Sequence, residues 1–245
     1  MNNLLAALRF LTIVPIKTKT NTASLSANSL VYFPVAGFAL GIILACIQQL
    51  LSYTGLHNLA ISAALVVALI ILTGGMHLDG LSDTFDGLAS WKGREDILRI
   101  MRDPHAGAIG VLSMISVIFL KIAFIASLRP LDSALSLILM TTISRWSMVT
   151  AISFFPYARE QGKAKIFMDG KNNKFLILST LLTMIIIILS SPFAGFAAMI
   201  TSCAAVIVIG KTISLRIGGI TGDVLGAINE INEIIILLTI ILLQK

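Results

Sequence analysis

The chain has 245 residues, 57% hydrophobic and 12% charged, with a mean hydropathy of +0.96. Soluble domains carry about a quarter charged residues, so a soluble globular protein is excluded. An all-α, polytopic membrane bundle is expected instead, as one embedded domain over 1–245. The formal net charge of +6 would hint at nucleic acid in a soluble protein; here it marks the loops of a membrane protein, and no nucleic-acid partner is expected.

In chain order, the opening MNNLLAALRFLTIVPIKTKT lacks a basic start and a small-residue cleavage site, and has Arg9 inside its apolar run. It predicts a short N-terminal amphipathic helix lying in the membrane surface rather than a signal peptide. A spanning helix needs about 20 mostly apolar residues. Such segments follow at 31–53, 58–76, 108–128, 132–155, 175–191, 192–210 and 224–243, about seven in all. Ser190, Ser191 and Pro192 predict a tight turn between the fifth and sixth, since the residue before proline is pushed out of helical geometry. Cys46 and Cys203 lie in apolar runs and are expected to behave as small hydrophobes, without a disulfide.

The loops give an orientation. Arg9, Lys17 and Lys19 lie in 1–30; Lys92, Arg94, Arg99 and Arg102 in 77–107; Arg159, Lys163, Lys165, Lys171 and Lys174 in 156–174; Lys211 and Arg216 in 211–223. The intervening connections hold only Arg129, and the far end only Lys245. Every basic loop thus falls on one face, which the retention of lysine and arginine makes cytoplasmic, together with the N-terminus. Lys121, inside the third span, is expected to snorkel or to pair within the bundle, and is given no further role.

The chemistry concentrates in GGMHLDGLSDTFDG, 74–87. At about 100° per residue, Asp79, Asp83 and Asp86 stand at roughly 0°, 40° and −20° on a helix, all facing one way. Close carboxylates repel, and one would normally take up a proton. A divalent cation removes the conflict, and oxygen-only ligands favour magnesium, manganese or calcium. A solvated helix end would explain one such aspartate; three on one face at a membrane boundary point to metal. A second acidic set, Asp223, Glu230 and Glu233 in GGITGDVLGAINEINE, 218–233, again shares one helical face. Glu230 and Glu233 run into the last span, where carboxylates need a cation, a partner or water. Both sets follow a glycine pair with matched spacing, Gly75 to Asp79 to Asp86 and Gly219 to Asp223 to Glu230; an internal repeat and chance both remain open. Two such helix ends on one face could hold two metal ions around a diphosphate.

The third piece is RIMRDPHAGAIG, 99–110. Arg99, Arg102 and His105 can donate to phosphate, and Gly107 and Gly110 allow close backbone approach. Asp103 is placed to pair with Arg102. His77 could orient an acidic neighbour or simply pack. Arg145, inside a span, is expected to pair with a carboxylate or to reach a phosphate. Tyr157, Arg159 and Lys163 add polar groups to the same face.

Taken together, RFLTIVP, FPVAGFALG, GGMHLDGLSDTFDG, IMRDPHAGAIG, RW, YAREQGK and GGITGDVLGAINEINE, in that order and over nearly the whole chain, resemble the adenosylcobinamide-GDP ribazoletransferase (cobalamin synthase) family. Met76 and Ser82 stand where the family more often has leucine and alanine, and Asp103-Pro104-His105 where Asp-Ser-Arg is commoner. The resemblance implies a multi-pass enzyme of the bacterial or archaeal inner membrane with a cytoplasmic active site. It implies that adenosylcobinamide-GDP is joined to α-ribazole, or its 5′-phosphate, with release of GMP, and that Mg²⁺ is the cofactor. A homo-oligomer is compatible with it. On this reading Asp79, Asp83, Asp86, Asp223 and Glu230 are expected to hold one or two Mg²⁺ ions. Arg102 is expected at the diphosphate, with Arg99, Arg145, Arg159 and Gly107 also on the substrate. Asp83 or Asp86 would take the hydroxyl proton, and Arg102 and His105 complete the catalytic set.

Two rival readings use the same residues. DTFDGLA, 83–89, looks like the opening of the CDP-alcohol phosphotransferase motif, but Ser90 stands where an arginine should, and polyprenyl transferases lack the glycine-rich second block. A divalent-cation transporter lined by Asp79, Glu230 and Glu233 would place its site near the midplane, not at one face.

Overall fold

A computed structural model of the chain describes residues 2–14, 26–162 and 164–244. Lys17, Lys19, Lys163 and Lys245 of the basic loops lie outside the described residues. Helix α1 (Asn2–Leu11) is followed by a 3-10 segment (Ala27–Tyr32) that runs into α2 (Phe33–Ser52). Then come α3 (Asn58–Thr73), α4 (Met76–Ala89), α5 (Arg94–Ile100), α6 (Ala108–Ala126), α7 (Pro130–Phe154), α8 (Lys165–Asp169), α9 (Asn173–Ser190), α10 (Pro192–Ile217) and α11 (Gly222–Leu243). Among the described residues the only non-helical pairing is an isolated bridge between Tyr157 and Ile220. The chain is a polytopic helical membrane protein.

Among the described residues, six helices are long and apolar enough to cross a bilayer: α2 with its 3-10 lead-in, α6, α7, α9, α10 and α11. Pro130 and Pro192 sit in the first turn of α7 and α10, where a missing N–H costs nothing; the turn expected at Ser191–Pro192 is there. α10 runs on to Ile217, past the expected end at 210. The seventh segment is broken. α3 stops at Thr73, and α4 leaves it at 90°. Gly74 and Gly75 both take left-handed backbone, with φ 63° and 68°, a conformation that opposes any residue with a Cβ. α3, at 16 residues, reaches about 24 Å, most of a hydrocarbon core about 30 Å thick. The pair is thus a broken span or a re-entrant turn, and α4 packs across the start of α11.

α7 is the central helix: 89% of its spanning window is buried, against 22% for α6 and for α9. α2 lies closest along it, because Gly41 has no Cβ; one there would stand 2.5 Å from Ile138 Cα. Phe119, Leu181, Ile188, Ile200 and Val208 point outward from α6, α9 and α10, as lipid-facing side chains should.

α1 is the expected short amphipathic helix. Its apolar residues Ala6, Ala7 and Leu11 are buried against protein, with Arg9 exposed on the other side. The alanines let it approach closely, and Phe10 stacks among Phe33 and Phe167 at 5.9 and 5.1 Å. Ile13 N donates to Leu72 O at 2.8 Å, which brings α1 to the α3–α4 corner. The same end gathers the 155–162 and 218–221 loops, and Trp91, whose ring lies 5.0 Å from the Arg216 guanidinium. Arg129 is at the opposite end, its N–H donating to Gln244.

Candidate active site

The two acidic segments meet because their glycines let α4 and α11 cross at backbone distance. A Cβ on Gly80 would stand 2.7 Å from Asp223 O, and one on Gly226 3.0 Å from His77 O. Thr221 caps α11, its Oγ1 accepting from Val224 N at 3.2 Å and donating to the Asp223 carboxylate at 3.3 Å. Above the crossing lies a cleft of about 230 Å³, lined by Asp79, Ser82, Asp83, Met101, Arg102, Asp103, Pro104, Ala106 and Met114. Arg102 makes no ion pair among the described residues. Burial first, then the neighbouring charges of Asp79 and Asp223, push Asp83 up to about 7. A carboxylate so placed favours either a proton or a cation beside it.

One loop carries Arg159 to the cleft. Ala158 N donates to Ile220 O and Ile220 N to Pro156 O, both at 2.9 Å. Arg94 adds Nε to Ile217 O at 2.8 Å and Nη2 to Ala158 O at 3.2 Å. Arg159 Nη1 then lies 2.7 Å from Asp223 Oδ2. Arg94 was counted above only as a basic loop residue; nothing in its sequence surroundings marks it as the tie between three segments.

Several expected roles are corrected. Asp86 does not offer a free carboxylate: its Oδ2 accepts from Gly107 N and its Oδ1 from Gly110 N, both at 2.7 Å. It anchors the start of α6, where unpaired N–H groups and the helix dipole favour an anion. Gly107 is therefore taken by Asp86 rather than by substrate; a Cβ there would come within 2.5 Å of the carboxylate. Glu230 is not at the cleft. It lies inside the bundle, 2.6 Å from Lys121 Nζ. Arg145 cannot reach a diphosphate, being fully buried and bonded to Glu233, which also pairs with Lys121. Charges this deep need counter-ions at hand, and these four provide one another's. Arg99 points to solvent and pairs with Asp96 on its own helix. His105 is exposed and bonded to Asp103 at 2.8 Å, so Asp103 serves His105 rather than Arg102. His77, in the first turn of α4, is buried and lines a small cavity with Phe10, Phe33 and Phe167.

Asp79, Asp83, Asp223, Arg102 and Arg159 remain together. As the side chains stand, no three His, Cys, Asp or Glu groups among the described residues converge on one point. Asp86 is turned to α6 and Asp223 to Arg159, which leaves Asp79 and Asp83. Two carboxylates nonetheless suit Mg²⁺, which is usually held by one or two of them with phosphate oxygens and water supplying the rest.

A family model described as cobalamin-5-phosphate synthase matches residues 3–241. The chain belongs to that family. The adenosylcobinamide-GDP ribazoletransferase of Roseiflexus sp. (strain RS-1) is 37% identical over 239 residues, covering 96% of this chain and 88% of that one. The protein of the same name from Alkaliphilus metalliredigens (strain QYMF) is 36% identical, covering 99% and 96%. That from Chlorobium chlorochromatii (strain CaD3) is 37% identical, covering 98% and 95%. No solved structure matches the chain. The match to the cobalamin-5-phosphate synthase family runs through both acidic segments, the 99–110 loop and the 155–162 strap, which are the parts that build the cleft.

Proposed function

We propose that this chain joins adenosylcobinamide-GDP to α-ribazole, or its 5′-phosphate, at the cleft between α4, the 101–106 loop and α6, and releases GMP. The observation that carries this is a cleft lined by Asp79, Asp83 and Arg102, with the Asp223–Arg159 pair directly beside it. Two arginines suit the diphosphate link of the donor, since a guanidinium contacts phosphate oxygens in pairs. Asp79 and Asp83 would hold Mg²⁺, which when bound would neutralise charge on the phosphate oxygens. The ribazole hydroxyl oxygen forms the new bond to the phosphorus on the cobinamide side, and the bond from that phosphorus to the GMP oxygen breaks. A cleft carboxylate takes the hydroxyl proton, with Asp79 and Asp83 the candidates. Arg102 holds the phosphates in line, a positioning role that accounts for much of the rate in such transfers. Asp86 acts at one remove by fixing α6 and the loop that carries Arg102.

The basic loops at this end support a cytoplasmic cleft in the inner membrane of a bacterium or archaeon. The test is an assay of the purified chain in liposomes with adenosylcobinamide-GDP and α-ribazole. GMP and the joined corrinoid should appear in equal amounts, and EDTA should abolish both. Turnover indifferent to EDTA would remove the metal. Failure to release GMP under any divalent cation would remove the reaction.

A further inference from the structure

Asp223 is the carboxylate that α11 brings beside the cleft, close to Asp83 and Asp79, and it already holds a cation. Arg159 Nη1 lies 2.7 Å from its Oδ2, and the two side chains are only 9% and 25% exposed. The guanidinium is not fully used. Its Nη2 reaches Met101 O at 3.4 Å, a long contact, and its Nε is buried with no hydrogen-bond partner among the described residues. Asp79 and Asp83, by contrast, have no ion pair among the described residues.

We propose that Arg159 is an exchangeable counter-ion. It holds Asp223 while no metal is in the cleft, yields that carboxylate to the arriving metal, and turns its freed fork to the phosphate oxygens. The inference rests on the divalent-metal, diphosphate reading above. The backbone need not move, because Ala158 stays fixed by Ile220 and Arg94; only the side chain swings. Its present neighbour Met101 precedes Arg102, so the swing stays beside the cleft. It would also convert the two available carboxylates into three, supplying the third ligand that the present arrangement withholds. A guanidinium suits both states, since carboxylate and phosphate match the same planar fork. With metal alone, Arg159 is therefore a competitor; with the metal-bound diphosphate it is a ligand.

The competition is measured with Mn²⁺ alone, by electron paramagnetic resonance of the free ion, on the full-length chain in detergent without nucleotide. Arg159→Gln should bind Mn²⁺ about five- to tenfold more tightly than wild type, as expected for losing a partly buried competing charge. Arg102→Gln removes an equal charge from the same cleft without touching Asp223, and should tighten binding by less than about twofold, the share owed to the general field. In an Asp223→Asn background, Arg159→Gln should add no more than Arg102→Gln does. Unchanged or weaker binding in Arg159→Gln, or equal tightening in both glutamine variants, overturns the proposal. Should Arg159→Gln fail to fold, Arg159→Met, apolar and of similar length, is held to the same outcomes. Wild-type protein that binds no Mn²⁺, or binds it regardless of Asp83→Asn, sinks the metal reading and this inference with it. Mn²⁺ held in an Asp83-dependent way but indifferent to Arg159 sinks the inference alone.

Discussion

Asp223, beside the cleft, and Glu230, in the buried quartet, stand on the same helix, seven residues and about 10 Å apart along α11, yet the two regions treat charge in opposite ways. Below, Lys121 and Arg145 face Glu230 and Glu233, so two positive charges meet two negative ones with no access to water. Above, Asp79, Asp83 and Asp223 crowd together with only Arg159 in contact, and Asp83 is driven up to about 7. The lower set is balanced in formal charge, although Arg145 Nε and Nη2 are buried without a hydrogen-bond partner among the described residues. The upper set is left in deficit of positive charge, and that deficit is what a metal-bound diphosphate would fill.

If this contrast is right, disturbing the lower set should break the fold and disturbing the upper set should break only the chemistry. The largest effect on stability belongs to Lys121→Met, which strands two buried glutamates on one arginine. It should destabilise the chain by about 3–5 kcal/mol, read by thermal or SDS unfolding in detergent. Adding Glu230→Gln restores the balance and should recover most of the loss; no recovery would mean that Lys121 does more than balance charge. Asp83→Asn should do the reverse. GMP release should fall at least about 100-fold, while thermal stability stays level or rises, because a repulsion has been removed. A parallel loss of stability would erase the distinction between the two regions. Gly110→Ala tests the link between them. A methyl there collides with the Asp86 carboxylate and Ser82 Oγ, and should cost about 1–3 kcal/mol and lower activity through the displaced 102–107 loop. Smallest of all is Arg99→Ala: an exposed pair with Asp96 should matter by less than about 0.5 kcal/mol and leave GMP release unchanged.

Most of the helices could be read from the chain. Their apolar lengths and the proline at 192 mark most of them and the basic residues sort the loops to one end, but the expected span 58–76 runs through the corner that Gly74 and Gly75 make, and α10 runs past its expected end. The joining of 79–86 to 223 was also legible, since both carry carboxylates on one helical face beside glycines. What sequence could not supply is depth and partnership. Glu230 shares a face with Asp223, but two turns further along it has left the cleft for the bundle interior, where Lys121 takes it. Arg145 had two readings, carboxylate or phosphate, and only the placement of Glu233 decides between them. Asp86 looked equal to its two neighbours in spacing; it differs because α6 starts in front of it. The four intramembrane charges sum to zero, and that sum was the one available hint that they belong to each other.

The right-angle corner at Gly74–Gly75 has a consequence for what the enzyme can handle. A helix laid flat offers its length as a shelf, so a bulky, water-loving molecule can be set down along it without being threaded between upright helices.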